Sequence, residues 1–241
     1  MKIYVNGDSY AGFSDGKRYS DFLGEFFNCD VVNSAISGSC NTRILRTSLR
    51  DLLEIKKTHD SAIAVISLTF TVRKELWDTS SFGKTEFVND GDFRSITLVE
   101  SNNWFQDIDN SLMNQTDADY KKQQLIWFDI EAETVNLLTE IILFAAWCKL
   151  NNIKYVIFSG PIQESVDFTA PFIKDFYDAV MSDGNVIDMF TNSFTEYCIN
   201  RGFAPIDHYI ADIHGKTYNV GHHGESAHRD FANFLIENYL T

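Results

Sequence analysis

Ile3-Tyr4-Val5 opens the chain as a short apolar run that stops at the polar bend Asn6-Gly7-Asp8-Ser9-Tyr10. Similar runs recur at Val31-Val32, at Ala62-Ile63-Ala64-Val65-Ile66, at Lys154-Tyr155-Val156-Ile157-Phe158 and, more briefly, at Val186-Ile187-Asp188. The third is continuously apolar, as expected of a strand buried on both faces. Between these runs the apolar spacing changes to three and four, the helical rhythm. Tyr19, Phe22, Leu23, Phe26 and Phe27 predict one helix, and Leu45, Leu49, Leu52 and Leu53 predict another over 42–53. Val135, Leu138, Ile142 and Ala145 mark a long helix over 130–150, and a shorter helical stretch lies near 191–199. Phe231, Phe234, Leu235 and Tyr239 face inward from a last helix over 225–239. Strands alternating with helices predict an α/β fold built on a doubly wound parallel sheet covered on both faces. From about 68 to 128 the periodicity fails, and Trp77, Trp104 and Trp127 stand among Asn, Asp, Ser and Thr. A structureless loop of that length is unusual, so this region reads as an ordered insertion after the third strand of a single domain spanning 1–241.

Composition narrows the partners. The 241 residues carry a formal net charge of −14, and no basic cluster is denser than Lys56-Lys57. Nucleic acid and anionic membrane surfaces are therefore not expected partners. The start of the chain holds one lysine and then a strand rather than a signal segment, and no apolar run approaches the roughly 18 residues of a membrane span. Cysteines at 29, 40, 148 and 198 form no Cys-x-x-Cys pair. A cytoplasmic, reducing setting with free thiols is the expectation.

The candidate chemistry begins at Gly7-Asp8-Ser9. A strand ending on glycine exposes the next hydroxyl at the sheet edge, where open α/β folds bind ligands. A serine hydroxyl becomes a nucleophile only with a base to take its proton and donors to receive the oxyanion. Ser37 to Asn41 is a small-residue loop after the second strand, and five of the six histidines fall between His208 and His228. His222 and His223 sit in a Gly-flanked loop before the last helix.

In this order the segments resemble the SGNH (GDSL-like) hydrolases. Gly7-Asp8-Ser9-Tyr10 is similar to block I, whose serine is the nucleophile. Asn33-Ser34-Ala35-Ile36-Ser37-Gly38 is similar to block II, whose glycine N–H serves the oxyanion hole. Gly221-His222-His223-Gly224-Glu225-Ser226-Ala227-His228 is similar to block V. The resemblance implies a flavodoxin-like sheet, with Ser9 as nucleophile and His222 as base, His223 standing where the family has Pro. The N–H groups of Ser9 and Gly38 would hold the oxyanion. Two positions depart from the family. Block III would supply an Asn, where this chain has Thr69, so Thr69 or Asn41 becomes the side-chain oxyanion donor. The acid expected three residues before the histidine is Asn219, with Asp212 or Asp207 as carboxylates at shifted positions. An asparagine orients imidazole but does not stabilise imidazolium by charge.

The resemblance implies a serine esterase or carbohydrate O-deacetylase acting on a small-molecule or glycan ester, with no cofactor and no metal. Segments 38–43 and 69–77 are similar to a sub-group encoded by tailed phages, which would place the protein in the host cytoplasm. Two other readings stand beside it. One is a binding module on the same fold with a degraded site, motivated by Asn219 and Thr69. The other is a metal site drawn from His208, His214, His222, His223, His228 and Asp212, whose spacing matches no familiar ligand motif.

Overall fold

The computed structural model describes residues 1–77, 93–97, 129–163, 166–207, 209–213 and 216–241. At its centre lies β1 (Lys2–Asn6), paired in parallel with β2 (Val31–Asn33) on one side and β3 (Ala62–Leu68) on the other. A hairpin of β4 (Arg73–Trp77) and β5 (Phe93–Thr97) follows β3. The sheet is then completed by β6 (Lys154–Ser159), parallel to β3, giving the order β2-β1-β3-β6. Val5 stands opposite Val65, and Val65 opposite Val156, so the carboxyl ends of β1, β3 and β6 share one edge. The expected strand at 186–188 is reduced to a single parallel bridge between Val186 and Ile157.

Strand alternation explains why the central strands are apolar throughout. Tyr4, Ala64, Ile66 and Ile157 enter one core layer, where they meet Ile44, Leu52, Leu138, Ile141 and Phe144. Their neighbours Ile3, Val5, Ile63, Val65, Val156 and Phe158 enter the other, with Leu23, Phe231 and Leu235. The first layer is covered by α3 (Asn41–Thr58) and α4 (Ile130–Leu150), and the second by α2 (Tyr19–Phe27) and the last helix. Helices on both faces of a parallel sheet with this strand order make the doubly wound α/β architecture that the alternation of strands and helices predicts. The order reverses between β2-β1 and β1-β3, and α1 (Ser9–Gly12) leaves β1 at that crevice.

Several elements differ from the sequence reading. Helix α3 runs to Thr58, because Ile55 continues its buried stripe, whereas Leu53 is turned to solvent. Arg43, off the leucine stripe of that helix, is nonetheless buried and donates from Nη1 to Ser39 Oγ at 3.0 Å. An unanticipated helix, α5 (Pro171–Met181), starts on a proline, which suits a first helical turn, and buries Ile173 and Val180. The shorter α6 (Phe194–Asn200) begins with a reciprocal Ser193–Glu196 cap. The histidine-rich tail contains an antiparallel hairpin, β7 (Tyr209–Ile213) with β8 (Lys216–Val220). The last helix, α7 (Glu225–Leu235), ends in a π-helical turn over Ile236–Leu240. Residues 78–92 and 98–128 of the expected insertion lie outside the described residues, as do Trp104, Trp127, His208 and His214. Among the described residues, no helix is long and apolar enough to cross a membrane.

Candidate active site

The bend after β1 is packed too tightly for any residue but glycine at position 7. A Cβ there would lie 2.8 Å from Ala11 Cβ, from Ser67 Cβ and from Ser67 O. Asn6 fixes the strand end: its Nδ2 donates to Ile44 O (3.0 Å), Thr47 Oγ1 (2.8 Å) and Ser48 Oγ (3.0 Å), and its Oδ1 accepts the Gly7 N–H. Asp8 then caps α1, its Oδ1 accepting from Tyr10 N at 3.0 Å. Ser9 is the first residue of that helix and is half-buried. The loop after β2 docks onto the same bend through Ser34 N to Val5 O (2.8 Å) and Ile36 N to Gly7 O (3.1 Å). Gly38 turns this loop at φ +79°. Among the described residues, the N–H groups of Ser9 and Gly38 donate to no protein acceptor.

Thr69 and Asn41, expected as oxyanion donors, are engaged elsewhere. Thr69 Oγ1 donates to Asp8 Oδ2 at 2.6 Å. Asn41 grips the Thr69 backbone from both sides: its Oδ1 accepts Thr69 N (2.8 Å) and its Nδ2 donates to Thr69 O (3.0 Å). Gln163 Nε2 donates to the same carbonyl at 2.9 Å. A fourth residue, like Gln163 absent from the sequence reading of the site, joins them. Arg73 Nη1 donates to Asp8 Oδ2 (3.0 Å) and to Thr69 Oγ1 (2.8 Å), and approaches Ser39 O at 3.4 Å. Burial pushes the fully enclosed Asp8 carboxyl above the usual range, opposed by the Arg73 charge and by bonds from Thr69 and the Tyr10 N–H. The hint in the sequence was only spacing: Arg73 follows Thr69 by four residues, at the start of β4.

His222 is held by a carboxylate, and that carboxylate is Asp207. Asp207 Oδ2 lies 2.5 Å from Nδ1 of the imidazole, and its Oδ1 accepts the His222 backbone N–H at 2.5 Å. An ionised carboxylate at Nδ1 puts the ring proton there and leaves the Nε2 lone pair as the acceptor. Nε2 is buried, with no hydrogen-bond partner among the described residues. The ring packs against Tyr10, within α1, and Phe13, just after it, with centroids 5.3 and 4.9 Å away. Gly221 makes room for this arrangement, since a Cβ at that position would stand 1.9 Å from Asp207 O. The expectation that Asn219 sits in the acid position gives way: Asn219 pairs with Ile210 across the β7–β8 hairpin. Asp212 lies in the same hairpin, opposite Thr217. The hairpin between residues 207 and 222 is what sequence spacing alone did not reveal.

The neighbouring histidines are of a different kind. His223 is buried with its ring edge-on to Phe194, and burial lowers its pKa to about 4. His228 stacks on Tyr19 and places Nε2 3.1 Å from Phe13 O, and burial again lowers its pKa to about 4. Both are neutral packing residues at physiological pH. Among the described residues, no three His, Cys, Asp or Glu side chains are placed to hold a metal ion. A cleft of about 270 Å³ is lined by residues of α3, the start of β4 and α4, among them Asn41, Arg73, Lys74, Glu133, Asn136 and Glu140; of these, Arg73 contacts Asp8.

No protein-family model and no curated protein matches the sequence. Solved structures with a similar course of the chain include an acetyl xylan esterase, at 15% identity and TM-score 0.46 over 98% of both chains. A psychrotrophic esterase from Pseudoalteromonas sp. matches at 12% identity and TM-score 0.46 over 98% of this chain and 95% of its own. A member of the lipolytic G-D-S-L family from Veillonella parvula matches at 10% identity and TM-score 0.44, over 98% and 97%. At these identities and scores, the likenesses say nothing about the chemistry of this chain.

Proposed function

We propose that the protein is a serine hydrolase of the SGNH type that cleaves carboxylic esters, with Ser9, His222 and Asp207 as its triad. The observation that carries this reading is the state of His222: Nδ1 is fixed by Asp207 at 2.5 Å, while Nε2 is buried with no partner among the described residues, its ring against Tyr10 and Phe13, which follow Ser9 in the chain. That is the arrangement a general base requires, with one nitrogen oriented by a carboxylate and the other kept for a proton. Ser9 Oγ attacks the acyl carbonyl as His222 Nε2 takes its proton. The N–H groups of Ser9 and Gly38 receive the oxyanion. Collapse of the tetrahedral intermediate expels the alcohol, which leaves with the proton from Nε2. Water, deprotonated by the same nitrogen, then releases the acid from Ser9.

Asp207 supplies the charge that Asn219 lacks. It stabilises the imidazolium formed in each half-reaction. The test is hydrolysis of a small acetyl ester by the native chain and by Ser9→Ala, His222→Ala and Asp207→Asn. Loss of turnover in all three variants, with Asn219→Ala close to native, is the expected result. A native chain without turnover would favour the second reading, a binding module. That reading draws on the engagement of Thr69 and Asn41 away from the oxyanion role.

A further inference from the structure

A single guanidinium nitrogen reaches three segments of the candidate site: the Ser9 bend, the Gly38 turn and Thr69. Arg73 Nη1 contacts Asp8, which precedes Ser9, at 3.0 Å, and Ser39 O, which follows Gly38, at 3.4 Å. Its shortest contact, 2.8 Å, is with Thr69 Oγ1, which itself donates to Asp8. The donors for an oxyanion are backbone N–H groups from two separate loops, the Ser9 bend and the Gly38 turn, and their spacing must be held to within a fraction of an ångström. The Gly38 turn is small and polar; its backbone ties to the bend, Ser34 N on Val5 O and Ile36 N on Gly7 O, both lie before Gly38, and beyond it Arg43 Nη1 holds the Ser39 side chain. The Arg73 side chain is only 10% exposed, its Asp8 partner is wholly enclosed, and its Cζ lies 5.1 Å from the Phe70 ring centroid. A planar fork that is stacked and paired in this way stays put.

We infer that Arg73 is a positioning residue: it clamps the Ser9 bend, the Gly38 turn and Thr69 into one rigid oxyanion pocket. This rests on the esterase reading for its catalytic consequence but not for its structural content. Asp8 is the second half of the clamp. It is the anchor for both Thr69 and Arg73, and it sets the backbone of α1 through the Tyr10 N–H. The arrangement does what a side-chain amide on the third loop would do by direct donation, but acts through the geometry of two backbone donors.

The test compares Arg73→Gln and Arg73→Lys with the native chain by amide hydrogen exchange and by steady-state hydrolysis of a small acetyl ester. In Arg73→Gln, exchange in peptides covering residues 36–40 should accelerate at least tenfold, while peptides from α7 stay within twofold. The kcat should fall about a hundredfold with KM within twofold, the range known for loss of one oxyanion donor. Arg73→Lys keeps the charge that Asp8 needs without the planar fork, so intermediate values are expected, and it carries the test if the Gln variant fails to fold. Unchanged local exchange and kcat in both variants would overturn the clamp. So would faster exchange spread evenly over the whole chain, the mark of a merely destabilised fold. A native chain that neither turns over nor reacts with a phosphonate would refute the esterase reading, while the exchange ratio still decides the clamp.

Discussion

At the scale of single residues, two histidines one position apart have opposite environments. His222 has a carboxylate on one nitrogen, while His223 is enclosed by apolar neighbours and Phe194. Asp207→Asn should retain the fold and lower kcat by about 10⁴, since the amide permits the wrong tautomer and removes the charge. Steady-state kinetics beside a circular dichroism spectrum checks both halves of that statement. His223 and His228 give the protein an acid sensitivity of known sign. Each has a folded pKa of about 4, depressed from 6.5, so between these values the unfolded chain binds protons that the native chain refuses. Stability from these groups is present above pH 6.5 and is lost as pH falls towards 4, by roughly 3 kcal/mol for each at about 1.4 kcal/mol per unit. Urea unfolding at pH 7.5 and pH 5 should show the midpoint falling on acidification, and His228→Phe should reduce that fall. An unchanged pH dependence in His228→Phe would contradict a neutral, buried His228.

Elements bring these residues together, and at this scale the sequence was legible only in part. The strand runs at Ile3, Ala62 and Lys154 and the helices at Tyr19 and Ile130 announced themselves because buried faces impose a period on apolar residues. With them came the positions of Ser9, Gly38 and His222 at the sheet edge. The hairpin over residues 209–220 has no such period, and it hid the return of the chain from Asp207 to His222. The fixed spacing pointed to Asn219, and the sequence left Asp212 and Asp207 undistinguished as carboxylates at shifted positions. Arg73 was missed for a related reason: an arginine in a polar stretch is normally a solvated one, and nothing in the sequence signals its burial against Asp8. Close approach between elements supplies a sharper test. Gly221→Ala would drive a methyl into Asp207 O, so the loop must shift and the His222 ring with it. Turnover should fall by more than tenfold with the melting temperature lowered by only a few degrees. Asp15 caps α7 across the molecule, its Oδ1 accepting from Glu225 N at 2.7 Å, and Asp15→Ala should cost about 1 kcal/mol in denaturant unfolding.

For the whole molecule, the sheet is a rigid platform with the site at its switch point. Phe158, Phe231, Phe194 and Tyr19 interlock beneath α7, with Phe158 and Phe231 centroids 4.9 Å apart in an edge-on pair. This aromatic layer lies directly under His228 and behind the loop that presents His222. Phe231→Ala should destabilise the fold by about 3–5 kcal/mol. The acidic balance of −14 bears on the charge of expected partners. It carried no information about the site, where the Arg73 cation is paired with the enclosed Asp8. The central claim is that Ser9 is a nucleophile activated by the His222–Asp207 pair, and the most direct measurement is to trap it. Treatment with a fluorophosphonate, followed by peptide mass spectrometry, should find a single adduct on Ser9 in the native chain. His222→Ala should slow its formation at least a hundredfold, and Ser9→Ala should carry none. A native chain that stays unlabelled, or one labelled at another serine, would contradict the account.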